Sequence, residues 1–139
     1  MKIAVTSTGN TLDSPIDPRF GRCQFFVFVD PETMEFEAAE NQAMMAAGGA
    51  GPQAAQFIAN KGAEAVITGN VGPNAASSLA AASIKVYIGA TGTVRETISL
   101  FKNGQLQEVG EATVASHAGM RGGGGRGMGG GGRGQGRGM

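Results

Sequence analysis

The 139-residue sequence has a single cysteine and a single histidine, and this scarcity limits its chemistry. With Cys23 alone, no disulfide can form within the chain, and nothing favours an oxidising compartment. His117 stands apart from other candidate groups, and the carboxylates are scattered, so no nucleophile–base pair is evident. Metal-assisted nuclease chemistry also lacks the carboxylates it needs on the central strands. The sequence therefore predicts a binding protein rather than an enzyme.

The sequence also lacks long apolar runs and a nucleotide-phosphate loop. Its opening, "MKIAVTST", has no apolar stretch typical of a signal peptide, and no segment approaches membrane-spanning length. We therefore expect a soluble cytoplasmic protein without a membrane partner. The pattern G-x-x-x-x-G-K-[ST] is absent, which argues against a nucleotide-binding site of that kind.

Glycine is abundant at the end of the chain. From Ala118 onward, 13 of 22 residues are glycine, and no apolar periodicity offsets the entropy of ordering the chain. The composition predicts a folded domain over residues 1–112 and a disordered Gly/Arg/Met-rich tail over residues 113–139.

The formal net charge of zero conceals an uneven distribution. The tail contains four arginines, at positions 121, 126, 133 and 137, and no acidic residue from Ala118 onward; the remainder has seven basic and eleven acidic residues. An acidic domain argues against a nucleic-acid-binding face on it. Nucleic acid is expected only through the tail, whose Arg-Gly spacing resembles RNA-binding RGG segments.

The apolar pattern predicts a strand, a β-hairpin and then alternating helices and strands. The strands are expected at residues 2–8, 24–30, 34–41, 64–69 and 85–90, the helices at 52–61, 72–83 and 93–104, and a short extension at 105–109. Strand–helix–strand units favour parallel pairing with right-handed crossovers. The expected fold is a single α/β domain with a five-stranded mixed sheet in the order 3-2-1-4-5, flanked by helices. This layout resembles the ribonuclease H-like motif.

Two strand-to-helix junctions share the pattern G-x-x-G-P-[QN]-A-A, in "GGAGPQAA" at 48–55 and "GNVGPNAA" at 69–76. Each predicts a glycine N-cap, Gly51 or Gly72, followed by proline at the first helical position. Neither start offers a side chain to its free amides. The amides predicted to be open are those of Gln53, Ala54, Asn74 and Ala75.

A third helix start, "GATGTV" at 89–94, follows the last predicted strand. Helices that follow parallel strands begin at the carboxyl edge of the sheet, so the three starts are predicted to surround one anion-binding crevice. The binding residues expected there are Gly49, Gly51, Gln53, Ala54, Asn70, Gly72, Asn74, Ala75, Thr91 and Gly92. The alternative is that these Gly-Pro pairs are ordinary loop residues before a helix and bind no ligand.

The loop "DSPIDPRFGRCQFF" brings Arg19, Arg22 and Cys23 close together in sequence. Two guanidinium groups would hold an anion and favour the thiolate of Cys23, a soft metal ligand. The alternative reading is a small buried cysteine beside a local ion pair between Asp17 and Arg19. Met44 and Met45, just before the first glycine-rich junction, are either thioether contacts or core residues.

Several of these motifs together resemble one known family. "MKIAVTST", "DPRFGRCQFFVFVD", "GGAGPQAA", "VITGNVGPNA", "KVY" and "GTVRETISLFKNG" occur in this order over residues 1–110. They are similar to the dinitrogenase iron–molybdenum cofactor-binding proteins, which include NifX-like proteins and the C-terminal region of NifB.

This resemblance implies a non-enzymatic protein that binds an anionic metal–sulfur cluster of the Mo/Fe–S type. The protein would act as a carrier, store or assembly factor, with metallocluster donor or acceptor proteins as partners. Cys23 would be the metal ligand. The alternative function is a protein-interaction or regulatory module that acts through the Gly/Arg-rich tail, which lies outside the shared domain.

Overall fold

The computed structural model describes residues 1–45 and 49–109. Within them the chain forms six β-strands, three α-helices and a short 3₁₀ helix. In chain order these are β1 (Ile3–Ser7), β2 (Phe25–Val29), β3 (Phe36–Glu40), the 3₁₀ helix (Gln42–Met45), α1 (Ala50–Asn60), β4 (Ala65–Ile67), α2 (Pro73–Ala81), β5 (Lys85–Ile88), α3 (Val94–Lys102) and β6 (Gln107–Val109). The tail predicted for residues 113–139 lies outside the described residues.

The strands form one mixed sheet in the order β3-β2-β1-β4-β5-β6. Strand β1 pairs parallel with β4, and β4 pairs parallel with β5. The β1–β2, β2–β3 and β5–β6 pairs are antiparallel. The predicted order of the first five strands is confirmed. The sixth strand lies in the segment predicted as a terminal extension. It is three residues long, and apolar alternation over so few residues does not identify a strand.

Helices cover both faces of the sheet, which explains why β1 is buried along its whole length. One core packs α1 and α2 against the sheet and includes Phe26, Ile58 and Leu79. The second core, which includes Ile67 and Ile98, lies between the opposite face and α3. Because α1 and α2 share a face, their amino ends lie side by side at one edge of the sheet.

The predicted glycine stops of α1 and α3 are confirmed. Gly62 and Gly104 adopt φ values of 86° and 70°, a left-handed conformation in which glycine has no Cβ penalty. Gly62 donates its N–H to the carbonyl of Ala59 at 3.0 Å, and the following residue bonds to Ile58 at 3.1 Å. These bonds satisfy carbonyls that the last helical turn would otherwise leave open.

None of the described helices combines the length and apolar character needed to cross a bilayer. The longest of them has 11 residues.

Candidate functional site at the carboxyl edge of the sheet

The loop after β1 and the starts of α1 and α2 meet at the carboxyl edge of the parallel strands, so two of the three helix starts predicted there come together. Arg19 forms a parallel β-bridge with Asn70, and the Asn70 N–H donates to the carbonyl of Pro18 at 2.9 Å. A Cβ added to Gly51 would lie 2.8 Å from the Cβ of Ala75. The loop after β1, the start of α1 and the start of α2 therefore form one continuous surface, which we call the carboxyl-edge site.

The start of α2 is open, in agreement with the prediction. Gly72 is the N-cap, Pro73 follows at the first helical position, and no side chain caps the helix. The first helical bond runs from Ala76 N–H to the Gly72 carbonyl at 2.9 Å. Among the described residues, nothing accepts from the amides of Asn74 and Ala75. These two donors and the positive end of the helix dipole suit an anion.

The start of α1 differs from the prediction. Gly49, at φ 72°, is its N-cap, so the helix begins at Ala50 rather than at Pro52. Gln53 N–H donates to the carbonyl of Gly49 at 3.0 Å and is not open. The left-handed conformation of a glycine allows this early start, and proline tolerates the first turn because it has no N–H to lose.

At the start of α1, the amides of Ala50 and Gly51 have no acceptor among the described residues, and no side chain caps them there. The predicted open amide of Ala54 is wrong, because Ala54 is the fifth residue of the helix and has no exposed surface. Both helix starts still present two uncapped amides. The difference from the prediction is that Ala50 and Gly51, rather than Gln53 and Ala54, supply the uncapped amides of α1.

The start of α3 is closed, which corrects the third part of the prediction. Thr93 and Glu96 form a capping box, in which each side chain accepts from the other residue's backbone amide. The next two amides donate to the carbonyls of Ser14 and Leu12, at 3.0 and 2.8 Å. No donor remains at this helix start for a ligand.

Thr91 and Gly92, the predicted binding residues before α3, therefore precede an occupied helix start. Gly92 itself accepts a hydrogen bond from the Ile16 N–H at 2.9 Å. The helix packs on the face of the sheet opposite α1 and α2. The structure thus brings together two of the three predicted helix starts.

Cys23 is buried in the core, and the predicted thiolate is wrong. Its side chain has no exposed surface. Burial, followed by the nearby charge of Asp17, raises the pKa of the Cys23 thiol from 9.0 to about 12. A thiol of this kind is neutral at physiological pH and does not reach the surface. Cys23 is therefore the small buried residue of the alternative interpretation. Its predicted role as a metal ligand is not supported.

Arg19 forms the local ion pair that was the alternative reading. Its Nε donates to Asp17 Oδ1 at 3.0 Å and its Nη2 to Oδ2 at 2.9 Å. Burial raises the pKa of Asp17, but the hydrogen bonds and charge of Arg19 lower it further, to below its ordinary value. The pair holds the loop against the sheet and offsets much of the charge that Arg19 would offer a ligand.

Arg22, like Arg19, is exposed in this loop. Its Nη1 donates to the carbonyl of Met44 at 2.7 Å, which extends the side chain toward the segment before α1. The Met44 side chain is half-buried.

Asn41 is a structural residue of the site that sequence reasoning missed. It is 3% exposed, and its Nδ2 donates to the carbonyls of Gly21 and Cys23 at 3.0 and 2.9 Å. Its Oδ1 accepts from the Ala43 N–H at 3.1 Å. An asparagine just after a strand is a typical turn residue, which was the available signal. Asn41 ties the Arg22 loop to the segment that leads into α1.

Within residues 1–45 and 49–109, no group of three or more His, Cys, Asp and Glu side chains is placed to hold a metal ion. Backbone amides and guanidinium groups at the carboxyl-edge site are suited to a whole anion rather than to a bare cation. His117 lies outside the described residues.

Comparison with protein families identifies the family to which this chain belongs. A model of the family described as "Dinitrogenase iron-molybdenum cofactor" matches residues 1–104. The chain belongs to this family. The resemblance inferred from the sequence motifs is therefore confirmed, and the match includes the whole carboxyl-edge site.

Relatives of this family member include proteins of bacteria and archaea. The apo form of the orange protein from Desulfovibrio gigas is 44% identical, covers 78% of this chain and 92% of its own, and has a TM-score of 0.75. A NifB-type protein from Thermotoga is 40% identical, with coverages of 77% and 91% and a TM-score of 0.68. An uncharacterised protein of Methanocaldococcus jannaschii is 39% identical over 111 residues, which are 78% of this chain and 91% of that protein.

Proposed function

We propose that this protein binds an anionic metal–sulfur cluster at the carboxyl-edge site, without catalysis, as a carrier, store or assembly factor. The observation that carries the proposal is the contact between two helix starts whose first amides no side chain caps. Membership of the dinitrogenase iron–molybdenum cofactor family indicates a ligand of the Mo/Fe–S type. Cluster donor and acceptor proteins are the corresponding partners.

The binding groups in this proposal are the amides of Ala50, Gly51, Asn74 and Ala75, together with the exposed guanidinium of Arg22. The positive ends of two helix dipoles add at a single anion. Sulfide ligands on a cluster surface accept hydrogen bonds from amides and guanidinium groups, so the cluster is held by charge and hydrogen bonding. Arg19 contributes less because Asp17 pairs with it.

Gly49 and Gly51 keep bulky side chains away from the ligand, and the backbone of Asn70 holds the neighbouring loop in place. Coordination through Cys23 is not part of the proposal, because the thiol is buried and neutral.

A charged cap introduced at α2 tests the proposal. In Gly72→Asp, the new carboxylate accepts from the α2 amides and repels an anion. The site is suitable, since Gly72 has extended φ and ψ of −77° and 168° and a Cβ there meets nothing within 4 Å. We expect the fold to gain only about 0.3 kcal/mol from the cap, because glycine is itself a tolerated N-cap, and binding of tetrathiomolybdate to fall at least about tenfold.

The matched control is Gln107→Glu, which adds one negative charge on exposed β6. It should leave anaerobic tetrathiomolybdate titration and the midpoint of urea unfolding nearly unchanged. Equal binding by wild type, Gly72→Asp and Gln107→Glu would show that the α2 amides are not the site.

A further inference from the structure

An open groove of about 470 Å³ lies at the sheet edge opposite the carboxyl-edge site. We call it the amino-edge groove. Its apolar lining includes Phe28, Val29, Met1 and Phe36. Met1 and Phe36 are 52% and 44% exposed, and they are the exposed large hydrophobic side chains of the described residues. Apolar side chains that gather in one groove and remain accessible are typical of a docking surface.

The groove is also negatively charged. Carboxylates of Asp30, Glu35, Glu37 and Glu64 line it, with Lys2 as the single cationic side chain among its lining residues. Carboxylates on an apolar wall create a local negative potential that attracts cationic groups.

Two of these carboxylates have no hydrogen-bonded or charged partner within the described part of the chain. Neither Glu35 nor Glu64 has a side-chain hydrogen bond or an ion pair there. Glu37, in contrast, pairs with Lys61 at 2.9 Å. Two acceptors therefore remain in the groove: Glu35 precedes Phe36 in the chain, and Glu64 lies three strands away, just before β4.

A second copy of the chain does not suit this edge. Strand β3 is the outermost strand of the sheet, and Glu35, Glu37 and Glu40 lie on it or beside it. Pairing two such edges would bring six carboxylates together, and like charges across a strand pair are destabilising. The complementary occupant is a cationic segment.

The chain contains such a segment in residues 118–139. It has Arg121, Arg126, Arg133 and Arg137, no acidic residue, and mostly glycine between them. Guanidinium groups pair with carboxylates through two parallel hydrogen bonds and stack on aromatic rings. The groove offers both partners, in the carboxylates of Glu35 and Glu64 and the ring of Phe36.

The chain also leaves the sheet toward the groove. Strand β6 runs antiparallel to β5 from Gln107 to Val109, and Val109 lies in the same row across the sheet as Glu37. Five strand spacings separate the two residues, roughly 24 Å. Arg126 follows Val109 by 17 residues, and a chain of that length reaches at most roughly 56–61 Å, which is more than the separation.

We propose that residues 118–139 dock within the same molecule in the amino-edge groove, with arginines on Glu35 and Glu64 and against Phe36. Docking there leaves the carboxyl-edge site uncovered, since the groove lies at the opposite edge of the sheet. The proposal is therefore independent of the proposed function and has its own test.

The test uses the full chain with a nitroxide spin label at Gln135→Cys. Cys23 has no exposed surface and does not compete for the label. We expect the amide NMR signals of Phe36 and Glu64 to broaden strongly while that of Asn74, at the opposite edge, stays sharp. The broadening should disappear at about 0.5 M salt, where the Debye length falls to roughly 4 Å.

Charge reversal identifies the residues responsible. Glu35→Lys with Glu64→Lys should remove the broadening at Phe36, whereas Glu40→Lys with Glu108→Lys, an equal charge change outside the groove, should retain it. Urea unfolding of both double variants verifies that they fold.

Equal broadening at both edges of the sheet would overturn the proposal, as would broadening that survives the Glu35 and Glu64 reversal in a folded variant. Mixing spin-labelled chains with unlabelled ¹⁵N-enriched chains provides a further check. Broadening of the same strength in the mixture would mean that the segment binds a second molecule, which also contradicts docking within one chain.

Discussion

Gly51 and Ala75 bring the starts of α1 and α2 into direct contact, because a Cβ on Gly51 would lie 2.8 Å from the Cβ of Ala75. Real Cβ atoms do not approach so closely, and the nearest obstacle is a backbone-attached methyl group that cannot rotate away. The absence of one side-chain atom thus permits two helix dipoles to point at the same region.

Replacing Gly51 by alanine should therefore separate the two helix starts. We expect Gly51→Ala to destabilise the fold by about 1–3 kcal/mol, as overpacking does, and to weaken tetrathiomolybdate binding. Gly72→Ala is the matched control, since a Cβ at Gly72 meets nothing within 4 Å. Urea unfolding and anaerobic titration would check both changes. Equal stability of the two variants would contradict the close contact.

Asn41 should be needed for the position of the Arg22 loop. Asn41→Ala leaves the carbonyls of Gly21 and Cys23 buried without their donor, which should cost about 1–3 kcal/mol. Asn60→Ala removes an exposed asparagine whose side chain, among the described residues, bonds to Gln56, and it should change the free energy of unfolding by less than about 0.5 kcal/mol. The two chemical denaturation curves give the comparison, and coincident curves would refute the role of Asn41.

The ion pair of Asp17 should stabilise the fold above the pKa of this carboxyl group. Since folding lowers that pKa, the stabilisation is complete above the ordinary value of 3.8 and is lost as the pH falls through the folded value. Asp17→Asn should cost about 1–3 kcal/mol at pH 7, because Arg19 loses its partner and a buried amide replaces the carboxylate.

Asp13→Asn is the control for Asp17→Asn, because Asp13 pairs with Arg95 at an exposed position. It should cost less than about 1 kcal/mol. Unfolding curves at pH 7 and at pH 3 would separate the two positions. A pH-independent difference between wild type and Asp17→Asn would contradict the ionised pair.

Cys23 should make the fold less stable at alkaline pH. Because folding raises the thiol pKa from 9.0 to about 12, its contribution is fully present below pH 9 and is lost as the pH rises toward 12. The slope is about 1.4 kcal/mol per pH unit in that window. Cys23→Ala should lack this pH dependence. Subtracting the unfolding free energies of the two proteins removes the contribution of other groups that titrate between pH 9 and 12.

A simpler measurement concerns the reactivity of Cys23 at pH 8. The native thiol should be unreactive toward an aromatic disulfide reagent, and labelling should follow unfolding by urea. Rapid labelling of the native protein would show that the loop opens and exposes the thiol.

The order of the first five strands could be predicted because its signals are local. Strand β2 is a nearly continuous apolar run, and Gly62 and Gly104 stop their helices at the predicted places. The open start of α2 was also predictable, because Gly72 and Pro73 offer no capping side chain whatever surrounds them. These features depend on residues within a few positions of one another.

The start of α1 could not be placed from its sequence alone. Gly49 and Gly51 are both acceptable N-caps, and the repeated motif favoured Gly51 because Gly72 plays that role in α2. In the folded chain, Gly51 packs between Gly21 and Ala75, and Gly49 adopts the left-handed conformation. The choice between two glycines was made by contacts with distant segments.

The sequence by itself determined which chemical groups the site contains: glycines without side chains at helix starts, a proline that removes an amide, and arginines in the opposing loop. Only the tertiary structure decided which of them stay exposed and uncapped. It buried Cys23 in the core and occupied the amides of Val94 and Arg95 with carbonyls from the loop after β1. The Asp17–Arg19 pair and the Thr93–Glu96 capping box join residues within three positions of each other, whereas the exposure and the pKa of Cys23 depend on distant atoms that folding brings close.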